Sequence, residues 1–136
     1  LFALEAGRAP EYLRGLVTEG CYVSFPETFK RHMMALKRPL FPVLQLAMMQ
    51  IWRHTGTNVY KSKPITAIRK IRPDCRVLFL YGEKDIFSIP EKSRKLFNAC
   101  VSQDKKLVWF GKGGHSHLRI NNTEKYDQAI KEFFER

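Results

Sequence analysis

Two short apolar runs, one crossover apart, constrain this chain more than any other feature. Residues 77–81 read VLFLY and stop at Gly82; residues 107–110 read LVWF and stop at Gly111. Runs this short, rich in branched and aromatic side chains and closed by turn residues, suit strands buried on both faces. Between them Pro90 can take the first position of a helix, where its missing N–H has no partner to lose, with Glu91 in the first turn. Leu96, Phe97 and Cys100 then share one helical face. Strand, helix, strand makes a crossover unit, and its two strands run parallel.

Sites in open parallel sheets form just past the carboxyl ends of the strands. Asp85 follows the first run and His115 the second. A carboxylate beside an imidazole holds its tautomer and stabilises the imidazolium that forms during proton transfer. A histidine held in this way can act as general base for a hydroxyl nucleophile. Gly113 and Gly114 allow the backbone to turn sharply before His115. Taken singly, Asp85 reads first as a turn aspartate and His115 as an ordinary loop histidine. The pairing rests on their order, acid then histidine, each following a strand.

The order VLFLYGEKD, then KKLVWFGKGGHSH, then an amphipathic closing helix resembles the last third of an α/β-hydrolase. The resemblance is good from about residue 64 onward and looser, but continuous, back to Leu1. It implies an α/β fold, the C-terminal part of the hydrolase fold, with about three parallel strands and flanking helices. In that family nucleophile, acid and histidine follow one another along the chain. The resemblance therefore makes Asp85 the acid and His115 the base, in the manner of the compact serine esterases, lipases and peptidase-like members. It makes residues 13–18 (LRGLVT) the strand after the nucleophile helix, with Glu19, Gly20 and Cys21 facing the site. It treats residues 1–136 as part of a single hydrolase domain carrying a lid-like helical insertion at about 27–63.

One departure is large. The family nucleophile sits in G-x-S-x-G at a strand-to-helix elbow, and the chain holds no such motif. Gly114-His115-Ser116-His117-Leu118 matches only its first half, at the wrong end of the fold. Residues 1–6 (LFALEA) resemble the helix that follows the elbow. The expectation is the C-terminal half of a hydrolase, inactive alone, with its nucleophile upstream. A small acyl or peptide-like substrate is implied. The partner would be the remaining N-terminal half or a second copy, joined through an interior strand at 13–18. A non-catalytic binding or scaffolding member of the family is the alternative, since fold alone does not guarantee activity.

Local nucleophiles are few. Cys21 could act as a thiol with a histidine, or be a small core residue. Ser24 and Ser88 also lie past strands, with nothing adjacent to activate them. His117 competes with His115, but the family pattern puts the base directly after the paired glycines. His32 and His54 read as solvated surface. No His, Cys and carboxylate cluster has metal-ligand spacing, and no cofactor is expected. Three cysteines without CxxC spacing argue against a disulfide framework and suit a reducing, cytoplasmic setting.

Charge is unevenly spread. The 136 residues carry 24 Lys and Arg against 13 Asp and Glu. Residues 28–72 hold ten basic residues and no acidic one. These are interleaved with Phe29, Trp52 and Tyr60, and they flank the apolar stretch LFPVLQLAMMQIW at 40–52. An anionic membrane surface is the partner this suggests. Nucleic acid is not expected, because no recognised motif is present and GKGGH lacks P-loop spacing. The stretch itself has helical periodicity but is apolar nearly all round, so it either lies in the core or covers an apolar pocket suited to acyl groups. Other expected helices run through 28–37, with Phe29, Met33 and Leu36 inward, and from Thr123 as N-cap, with Tyr126, Ile130, Phe133 and Phe134 inward.

Overall fold

The computed structural model describes residues 11–61, 63–115 and 117–135. The readings of 1–6 as helix and of Ser116 fall outside these. The elements are β1 (Gly15–Glu19), α1 (Phe25–Ala35), α2 (Val43–Thr55), α3 (Pro64–Ile68), β2 (Arg76–Gly82), α4 (Pro90–Ala99), β3 (Lys105–Phe110), α5 (Leu118–Asn121) and α6 (Thr123–Phe134). The strands form one parallel sheet in the order β1-β2-β3, with Val17 opposite Leu78 and Leu80 opposite Val108.

β2 is the centre, with six of its seven residues buried. Its alternation splits the core in two. Val77, Phe79 and Tyr81 pack with Ile68 and Leu96, from the α3 and α4 side. Leu78 and Leu80 pack with Val108, Phe110, Leu118 and Ala129, on the α5 and α6 side. A strand covered on both faces needs apolar side chains at both parities, which is why β2 reads as an unbroken run. Pro90 stands at the start of α4 and Glu91 in its first turn, as expected.

Several boundaries differ from the sequence reading. β1 is shifted toward Glu19, and Gly15 makes room for a ring rather than for backbone. A Cβ there would lie 3.0 Å from Cζ of Phe133 in α6. α2 begins only at Val43, because Pro42 supplies no N–H and stands at the N-cap. α6 has Asn122, not Thr123, at its N-cap, and neither side chain caps it. The Asn122 amide donates to the carbonyls of Lys112 and Leu118, and the Thr123 hydroxyl donates back to Arg119. Leu36 and Phe134, both expected inward, are exposed. The expected interior strand, β1, has no pairing partner on its outer edge among the described residues.

Candidate active site

β2 and β3 end side by side, with the Glu83 N–H donating to the Phe110 carbonyl at 2.9 Å. Past β2 the chain folds into a tight turn, the Asp85 N–H donating to Gly82 at 3.2 Å. The Asp85 side chain closes that turn. Its Oδ1 accepts the N–H groups of Phe87 at 2.7 Å and Ser88 at 3.0 Å. Its Oδ2 lies 3.0 Å from Nδ1 of His115. The Asp85 side chain is 1% exposed and that of His115 is 39% exposed. Three N–H donors around one buried carboxylate satisfy it and fix its plane. With Nδ1 engaged by Asp85, Nε2 is the ring nitrogen left for another partner.

The histidine loop sits directly on the end of β2. A Cβ on Gly82 would lie 2.6 Å from the Gly114 carbonyl oxygen and 2.9 Å from that of Gly113. Such an approach demands glycine. Gly20, just past β1 at φ +57°, touches the imidazole: a Cβ there would lie 3.1 Å from both Cε1 and Nδ1 of His115. The Ser88 hydroxyl donates to the Gly20 carbonyl at 2.5 Å, tying the turn after β1 to the acid turn. Phe87 packs on the His115 ring with centroids 4.8 Å apart. α1 is fastened over this turn by the Thr28 hydroxyl, which donates to the Phe87 carbonyl at 3.4 Å, and by the Glu27–Lys92 ion pair at 2.5 Å.

The other candidates sort themselves by environment. Cys21 is half-buried, and burial pushes its thiol up to about 11. A thiol so placed stays protonated near neutrality and is a poor nucleophile. Ser88 is buried with its hydroxyl engaged. Ser24 stands at the N-cap of α1. His117 is exposed, at φ +67° ahead of α5. Glu19 turns away from the site and accepts the Tyr126 hydroxyl at 2.7 Å. His54 is on the surface, as expected. His32 is not: its ring stacks on Phe87 at 4.7 Å, and its Nδ1 is buried without a partner among the described residues. His32, Phe87 and His115 thus form a row that sequence reasoning missed. The only signal was an aromatic residue placed between Asp85 and the start of α4.

An apolar cavity of about 390 Å³ opens beside β1's carboxyl end, lined by Tyr22, Phe25, Ile51, Thr55, Thr57 and Val59. It begins two residues beyond Gly20, which touches His115.

No family model matches the chain, and no curated protein sequence does. Solved structures do match it. The esterase Pf2001 of Pyrococcus furiosus aligns over 98% of this chain and 47% of its own, at TM-score 0.68 and 15% identity. The acylaminoacyl peptidase of Pyrococcus horikoshii aligns over 98% of this chain and 21% of its own, at 0.64 and 15%. An α/β-fold family hydrolase from Bacillus anthracis aligns over 96% of this chain and 61% of its own, at 0.59 and 13%. This is the α/β-hydrolase fold. At such identities the likeness establishes architecture: three parallel strands with flanking helices, the C-terminal part of the α/β-hydrolase fold. The chain spans less than two thirds of the length of each of these structures.

Proposed function

We propose that this chain supplies the acid and the histidine of a Ser-His-Asp hydrolase acting on an ester, thioester or amide, with the serine lying upstream of Leu1. The supporting observation is the 3.0 Å contact between a buried Asp85 carboxylate and a partly exposed His115 at the carboxyl ends of adjacent parallel strands. In this reading His115 Nε2 takes the serine proton as the oxygen attacks the carbonyl carbon. It returns that proton to the leaving group, and water then cleaves the acyl-enzyme by the same route. Asp85 orients the ring and stabilises its charged form. One structural neighbour is an esterase and another an acylaminoacyl peptidase, which fits this chemistry.

α1 and α2 act as a lid-like insertion in this account, and the 390 Å³ cavity beneath them takes the acyl part. The free edge of β1 receives a strand of the upstream half or of a second copy. Sedimentation of the isolated chain checks that: an assembly larger than one chain is expected, and a cooperative monomer contradicts it. All three cysteines are free thiols, which suits a cytoplasmic setting.

The test is ester hydrolysis by protein expressed from the full reading frame. His115→Ala should remove turnover, and Asp85→Asn should lower kcat by roughly 10⁴ through the wrong tautomer. The 136-residue chain alone should be inert. Silent His115→Ala with inactivating His117→Ala would overturn the assignment. An upstream elbow lacking serine would favour the non-catalytic alternative.

A further inference from the structure

We infer that α2 and the loop before it dock on an anionic lipid surface. The inference is independent of the catalytic reading. It starts from what α2 leaves uncovered. Only Met48 is buried on this helix. Leu46 and Met49 lie one turn apart on its outer side with Arg53, and Trp52 stands next to them at 59% exposure. Phe41, in the loop leading into α2, is 77% exposed. Large side chains held this far into water on one helix and its adjoining loop form a patch that marks a binding surface.

Charge decides which surface. Lys37 and Arg38 precede Phe41, Arg53 lies on the same outer side as Leu46 and Met49, and Lys61 follows Tyr60; all four are exposed. None of the four is in an ion pair among the described residues, and residues 28–72 contain no Asp or Glu that could neutralise them. An apolar ridge collared by cations with no acid beside them in residues 28–72 matches the headgroup–acyl boundary of an anionic bilayer. There the rings and aliphatic chains enter the interface while Lys and Arg meet phosphates. No described helix is long and apolar enough to cross a membrane, so the contact is one of lying on the surface. The patch adjoins a shallow depression of about 240 Å³ lined by Met48, Met49, Trp52, Val59 and Tyr60, with Gln45 and Asn58 among them, which gives an acyl chain a place to enter.

The experiment is flotation of protein expressed from the full reading frame, with vesicles of phosphatidylcholine alone or with one third phosphatidylglycerol. Recovery with the anionic vesicles only, falling steeply between 0.1 and 0.5 M salt, is the expected result. The exposed-site variant Lys37→Gln/Arg38→Gln should partition roughly thirtyfold more weakly. Leu46→Gln/Met49→Gln/Trp52→Ser should lose flotation while keeping the wild-type circular dichroism. Three results overturn the inference. One is equal recovery with both vesicles. Another is undiminished flotation of the triple variant, which would leave charge alone acting, as on a nucleic acid. The third is no flotation in any form, in which case sedimentation of the triple variant shows whether a second copy covers the helix.

Discussion

Asp85 does two jobs with two oxygens. One oxygen holds the turn after β2 through the Phe87 and Ser88 N–H groups, and the other holds His115. Its position after a strand made it visible in the sequence, and the same is true of His115. Phe87 and His32 were not visible. Their roles come from stacking across elements distant in the chain, and no local pattern records that. Cys21 gives a residue-scale test. Its thiol ionises near 9.0 ordinarily and near 11 in the fold, because burial disfavours the thiolate. Below pH 9 both folded and unfolded chains keep the proton, and the full contribution is present. As pH rises from 9 to 11 the unfolded chain loses its proton first, so stability falls, by on the order of 2–3 kcal/mol. Urea unfolding at pH 8 and pH 11 should show this loss in the wild type and a smaller loss in Cys21→Ala. Equal losses would mean the thiol is not buried as described.

At the scale of elements, the strand ends make the site. Gly82 lets the Gly113 and Gly114 carbonyls close over β2. Gly82→Ala must push the histidine loop away, because the atoms it meets are backbone and cannot rotate aside. A destabilisation of about 1–3 kcal/mol is expected, together with loss of the Asp85–His115 hydrogen bond. Thermal melts and the downfield imidazole proton resonance would report the two effects, and an unperturbed resonance would contradict the packing. The strands were legible because a strand buried on both faces leaves a continuous apolar run. Helix starts were less so. Helical spacing from Leu40 ran through Pro42, but the helix begins behind that proline. Thr123 looked like a cap, yet the chain enters α6 from the one-turn α5, and both candidate cap side chains bond elsewhere. The spread of apolar residues around α2 left burial and cover for an apolar pocket both open. In the structure only Met48 is buried and Ile51 and Thr55 line the cavity beside β1, while Leu46, Met49 and Trp52 stay exposed.

At the scale of the molecule, an α/β-hydrolase fold is present over a chain that spans 47% of the Pyrococcus furiosus esterase. Parallel order and the meeting of Asp85 with His115 were legible, because both follow from strands ending in turns. The nucleophile was not, because no elbow motif stands in these residues. The central claim is that Asp85 and His115 activate a serine outside this chain. Labelling by a fluorophosphonate, which reacts only with an activated serine, tests it most directly in protein expressed from the full reading frame. The account predicts one labelled serine, N-terminal to Leu1, with labelling abolished by His115→Ala. An unlabelled protein, or a His115→Ala variant labelled as fast as the wild type, would contradict it.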